Sequence, residues 1–171
     1  VKNSVKREKL VESDLEIRSN KKEVTVRCIK AIPDQNLTES LEEVAKVNKG
    51  LVEADANNDL LYIACVERYG RNNNIGKAFV KGFGLKKGAF AESVAHDTHN
   101  ITVVGTNIGD MVVAVNKVIE MGGGISVVSN GRVLEELALP VGGLITDELT
   151  GSEVSEKIVS LEKIVSKDLG G

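Results

Sequence analysis

Leu60-Leu61-Tyr62-Ile63-Ala64-Cys65-Val66 is the stretch that leaves this chain the least architectural choice. Its apolar residues follow one another without a gap. They run from the turn-forming Asn57-Asn58-Asp59 to the charged pair Glu67-Arg68, and no side is left for water. The pattern predicts a central strand covered on both faces, which in turn requires layers above and below a sheet. With 171 residues, 42% of them hydrophobic and 27% charged, there is material for one such layered unit. A (β/α)8 barrel needs roughly 250 residues, so this chain does not contain one.

Around that strand the periodicities predict further elements. Val24, Val26 and Cys28 alternate with Thr25 and Arg27, as in a strand with one buried face, and Pro33-Asp34 ends it. Thr38 is placed to cap a short helix carrying Leu41, Val44 and Val47, and residues 51–54 read as a short strand. Asn74-Ile75-Gly76 opens an expected helix with Ile75, Ala78, Phe79 and Phe83 on one stripe, ended by Gly84. Strands are expected at 90–94 and 101–104. Asn107 then caps the most regular helix, with Met111, Val115, Val118 and Ile119 at helical spacing up to Gly122-Gly123-Gly124. Strands at 125–128 and 132–137 are joined by Asn130-Gly131, a tight hairpin turn. Thr150 and Glu153 have capping-box spacing for a last helix. The expected class is α/β (α+β): a mixed β-sheet with packed helices in one layered domain. Residues 1–22, at +3 within a chain of net charge −3, read as a charged arm or linker preceding a domain at 23–171.

Composition removes several function classes. The acidic balance, an isoelectric point near 5.5, 3% aromatics and no Trp argue against nucleic acid as a partner. No apolar run approaches the ~18 residues of a membrane span. The charged N-terminus lacks the apolar stretch of a signal peptide, so a cytoplasmic protein is expected. Because the chain opens on Val1, either an initiator Met has been removed or this is a piece of a longer protein. Cys28 and Cys65 form no Cys-x-x-Cys pair, and each sits in an apolar stretch as a small buried hydrophobe would.

The densest chemistry lies in Ser93-Val94-Ala95-His96-Asp97-Thr98-His99-Asn100, which holds both histidines of the chain between two apolar strands. Three readings stand side by side. The imidazoles and Asp97 can form a metal site; they can present acid–base groups to a pocket; or Asp97 and Asn100 can satisfy a polar turn. Glu67-Arg68 at the end of the central strand can orient a substrate or form a structural ion pair. Gly82-Phe83-Gly84-Leu85-Lys86-Lys87-Gly88 has the composition of a phosphate cradle but matches no dinucleotide or P-loop fingerprint, and a turn is the better reading. The pairing of Cys-x-x-Cys with His-x-Glu, the Gly-x-Ser-x-Gly elbow and His-Glu-x-x-His are all missing from the sequence.

The run Asn74-Ile75-Gly76-Lys77-Ala78-Phe79-Val80-Lys81-Gly82-Phe83-Gly84-Leu85-Lys86-Lys87-Gly88-Ala89, followed by Ser93 to Asn100 and then Val103-Val104-Gly105-Thr106-Asn107, closely resembles the C-terminal domain of bacterial and archaeal adenine deaminases. These belong to the amidohydrolase superfamily. The likeness continues through Glu120-Met121-Gly122-Gly123-Gly124 and Leu139-Pro140-Val141-Gly142-Gly143-Leu144, and covers residues 23–150 best. It implies hydrolysis of adenine to hypoxanthine and ammonia in purine salvage. The manganese or iron and its ligands would reside in an amidohydrolase barrel, in the same or a separate chain, while this domain alone binds no cofactor. It further implies that His96, Asp97 and His99 support catalysis or contact substrate, with Ser93, Asn100, Glu67 and Arg68 at the substrate pocket. Tyr69 stands where the family pattern has His, and Asn72-Asn73 where it has Thr-Gly; Ile108-Gly109 replaces an acidic pair. These departures favour the alternative of a stand-alone, non-catalytic binding or assembly module. A homo-oligomer is compatible with either.

Overall fold

The computed structural model describes residues 2, 4–32, 35, 37–95 and 98–171. Nine strands form one open sheet: β1 (Glu23–Ala31), β2 (Thr38–Asn48), β3 (Leu51–Val52), β4 (Leu61–Val66), β5 (Ile75–Lys81), β6 (Ala89–Glu92), β7 (Ile101–Gly105), β8 (Gly124–Ser129) and β9 (Arg132–Ala138). Their spatial order is β3-β2-β1-β5-β4-β7-β6-β8-β9. Only the β1–β5 pair among these neighbours is parallel, so the sheet is mixed, and with free edges at both ends it is not a barrel. Three helices accompany it: α1 (Glu12–Leu15), α2 (Ile108–Glu120) and α3 (Gly151–Lys163), the last prolonged by a π turn at Ile164–Asp168. None is long and apolar enough to cross a membrane.

The unbroken apolar run does what its composition demands. Tyr62, Ala64 and Val66 of β4 enter a core shared with Met111, Val115 and Val118 of α2, while Leu61 enters a second core with Leu161 of α3 and Leu169. Alternate residues of one strand thus feed cores on opposite sides of the sheet. Residues 4–22 take part in this packing: Leu10 and Leu15 are buried against the α2 core. Asn116 of α2 holds them there, accepting from the Leu10 N–H (2.7 Å) and donating to its carbonyl (2.9 Å).

Most expected elements form where the periodicity placed them. Asn107 caps α2 by accepting from the Asp110 N–H at 2.8 Å. The buried Asp110 carboxylate in turn accepts from Gly131 N (2.7 Å) and Asn130 N (3.2 Å), locking the helix start to the β8–β9 turn. Thr150 and Glu153 close a reciprocal capping box on α3.

Two expected helices are strands. β2 replaces the one at Leu41, Val44 and Val47, and β5 replaces the one at Ile75, Ala78 and Phe79. In each, a charge at a position on the α2-side face of the strand hides the alternation. Glu43 on β2 is paired with Lys81 at 2.7 Å, and Lys77 on β5 donates to the carbonyls of Glu16 (2.8 Å) and Asp14 (3.1 Å). With these charges satisfied by tertiary partners, period two prevails and Val44 is left facing water. The glycine-rich turn after β5 is clamped by Asp59, whose carboxylate accepts from Gly82 N (2.6 Å) and Gly84 N (2.7 Å), so those amides are not free for a phosphate.

Candidate functional site

The end of β4, the start of β5, the end of β6 and the start of β7 lie at one end of the sheet, because β4 pairs antiparallel with both β5 and β7, and β6 antiparallel with β7. This gathers the 67–74 loop, the 93–100 loop and the turns on either side of β8 and β9. Arg68 is the buried hub among them, 2% exposed. Its guanidinium donates to Gly142 O (2.7 Å), Ser4 Oγ (3.1 Å) and Tyr69 Oη (3.3 Å), and its charge lies 4.8 Å from the centre of the Tyr69 ring. Tyr69 passes the connection on by donating to Thr98 O at 3.0 Å. One buried cation therefore joins the N-terminal segment, the 141–145 turn and the histidine-bearing loop.

Ser93 anchors the other end of that loop. Fully buried, its hydroxyl donates to Gly143 O (2.7 Å) and accepts from Gly124 N (2.8 Å). Its hydrogen bonds are thereby used in bracing. Glu67 does not pair with Arg68; its carboxylate accepts from the N–H groups of Tyr69 (2.7 Å), Arg71 (3.2 Å) and Asn73 (3.3 Å). Desolvation pushes the Glu67 carboxyl up, but these backbone donors outweigh it and hold it below the usual carboxylate range.

His96 and Asp97 lie outside the described residues. His99 adopts a left-handed backbone, φ 51°, with its N–H donating to Ala95 O at 2.8 Å. Its Nδ1 and the Asn100 Oδ1 are buried and have no hydrogen-bond partner among the described residues. A non-glycine residue in that region marks a local constraint, and unpaired buried polar atoms mark groups that await a partner. Among the described residues no three His, Cys, Asp or Glu side chains converge into a metal centre.

Two features escaped the sequence reading. Cys65 is exposed, whereas Cys28 is buried as expected: the Cys65 side chain points to the part of the sheet that α3 does not reach. Gly142 and Gly143, read only as part of a motif, build the turn that receives Arg68. The signal was the Gly-Gly pair itself, since both need positive φ.

Comparison with known proteins decides the family. The description "adenine deaminase C-terminal domain" belongs to the family model matching residues 35–171. The chain belongs to that family. It is 59% identical, over 99% of its length, to adenine deaminase 1 of Carboxydothermus hydrogenoformans. It is 42% identical over 98% to the adenine deaminase of Methanococcoides burtonii, and 47% over 86% to that of Brucella anthropi. The domain spans only 28%, 29% and 26% of those relatives, which therefore carry a further, larger portion.

Proposed function

We propose that this adenine deaminase C-terminal domain completes the purine site of a hydrolytic deaminase whose catalytic portion is an amidohydrolase barrel. The reaction replaces the C6 amino group of adenine: water oxygen bonds to C6, the C6–N6 bond breaks, and hypoxanthine and ammonia leave. Manganese or iron held in that barrel would supply an activated hydroxide. The described residues of this chain contribute no metal ligand set and act around the reaction. The setting is cytoplasmic salvage of a free base.

The observation that carries the reading is the 59% identity, over nearly the whole chain, to a protein named as an adenine deaminase. The bracing of the 93–100 loop supports its role at the purine: Ser93 and Tyr69 fix the loop from both sides, and His99 Nδ1 and Asn100 Oδ1 have no partner among the described residues. Such a loop holds hydrogen-bonding groups in place before substrate arrives, which spares reorganisation during reaction. The test is substitution by Ala of the residues matching His96 and His99 in the full-length Carboxydothermus hydrogenoformans enzyme. At least one is expected to lower kcat/KM tenfold or more. Values within twofold of wild type for both would overturn the role of the loop.

A further inference from the structure

The two faces of the sheet are covered unequally. On the α2 side the buried residues extend from Cys28 of β1 across Phe79, Ala64, Val103 and Ala91. On the other side the α3 core covers Phe90, Ile125 and Val127 and, at mid-sheet, Leu61, Val80 and Val104, but leaves open the end of β4 and the starts of β5 and β7. There Ile29, Ile63, Cys65, Gly76, Ala78 and Thr102 line an open hollow of about 410 Å³. Strand register extends this surface in an unbroken row. Gly76 lies opposite Cys65, Cys65 opposite Thr102, and Thr102 opposite Glu92. Small residues along it make the surface flat enough for a second layer to approach closely.

We propose that this open part of the α3 face is the surface on which the catalytic portion of the deaminase sits. This rests on the function proposed above and names the partner of the same site. Three observations select that occupant. First, the row Gly76–Cys65–Thr102–Glu92 lies at the sheet end that carries the 93–100 loop, which leaves β6 directly after Glu92 and enters β7 at Ile101, next to Thr102, so loop and face adjoin. Second, Arg68 holds Ser4 (3.1 Å) and accepts the Lys6 N–H on its carbonyl (2.6 Å) at this same end. In the relatives, the larger portion preceding a C-terminal domain is thus tethered within a few residues of the loop. Third, Glu92 is half-buried where the open surface meets the hollow beside α3, opposite Thr102. Burial, with no donor among the described residues to offset it, pushes its carboxyl up. Glu92 and, from α3, Glu162 line the same hollow at the edge of that helix, and no Lys or Arg among the described residues lines it with them. The partner surface is accordingly apolar and carries one Lys, Arg or amide donor facing Glu92.

Cys65 reports on the surface directly. In the full-length Carboxydothermus hydrogenoformans enzyme, a cysteine at the position matching Cys65 serves as probe, and one at the position matching Val159, on the water-facing side of α3, serves as control. Maleimide labelling is read by peptide mass spectrometry and compared with labelling of Cys65 and a Val159→Cys variant in the 171-residue chain alone. The probe is expected to react at least tenfold more slowly in the full-length enzyme than in the chain, with the control unchanged. Equal rates for the probe would overturn the proposal. So would slow labelling of Cys65 in the chain alone accompanied by dimer formation, since a second copy would then be the occupant. Labelling does not depend on turnover: if the His96 and His99 substitutions leave activity intact while the probe is protected, the loop reading falls and the docking face stands.

Discussion

Arg68 illustrates how much one side chain can organise here. A buried guanidinium is costly unless its donors are matched; here the two terminal nitrogens are matched by a hydroxyl, a phenol and a backbone carbonyl, with no carboxylate partner among the described residues, while Nε is buried without an acceptor among them. Neutral acceptors fix it in place. Gly143 provides the space: a Cβ there would run into the Arg68 guanidinium, and the residue's φ is +75°. Its neighbour Gly142 also has positive φ, +66°, but nothing lies within 4 Å of a Cβ built on it. The pair separates backbone strain from steric conflict. Gly142→Ala is expected to cost about 1 kcal/mol, the left-handed penalty alone. Gly143→Ala should cost about 3 kcal/mol, since displacing the guanidinium adds an overpacking penalty. Urea denaturation of the two variants checks this, and equal losses would mean that Arg68 moves aside freely.

At the scale of elements, the sequence disclosed what tertiary contacts did not disguise. β4, α2, the β8–β9 hairpin and α3 were legible because their apolar periods, Asn107, Asn130-Gly131 and the Thr150–Glu153 box all act locally. β2 and β5 were not, because Glu43 and Lys77 occupy positions on the α2-side face and are satisfied by Lys81 and by carbonyls of the N-terminal segment, partners invisible in a linear pattern. The candidate loop was legible as polar chemistry between strands. Its bracing through Arg68, Tyr69 and Ser93 was not, since those contacts join residues far apart in the chain. β6 carries a related hidden feature, Glu92, which follows Phe90 onto the α3 face. Its folded pKa is raised by burial, so the folded state holds the proton more tightly than the unfolded one. The stability Glu92 contributes is therefore present below the usual carboxylate value of about 4.3. It is lost as pH rises through the raised folded value. Glu67, Glu135, Asp147 and Glu153 have lowered values and drive stability the opposite way. Comparison of Glu92→Gln with wild type cancels them. The variant should be more stable at pH 7 and indistinguishable near pH 4, by denaturant midpoints at each pH; a constant difference across that range would show that Glu92 does not titrate with folding.

The whole molecule has a core on each side of its sheet, yet one face is partly open and one sheet end carries polar atoms without partners among the described residues. Both incomplete regions meet at the 93–100 loop, as expected of a unit that folds by its own packing and functions against a larger neighbour. Attack on C6 of adenine requires an activated water and a proton delivered to the departing nitrogen. Among the described residues, the carboxylate nearest the loop in sequence is Glu92, on the docking face, while Glu67 is engaged by backbone amides. Among the described residues His99 is the one imidazole of the loop. The purified 171-residue chain is therefore expected to release no ammonia from adenine, and to hold well under one equivalent of manganese or iron after dialysis. A coupled ammonia assay and elemental analysis check the two statements separately. Turnover by the chain alone would place the catalytic centre within it, and stoichiometric metal would assign a ligand set to the 93–100 loop. Absence of both, with activity in the full-length relatives, is the result that a completing domain must give.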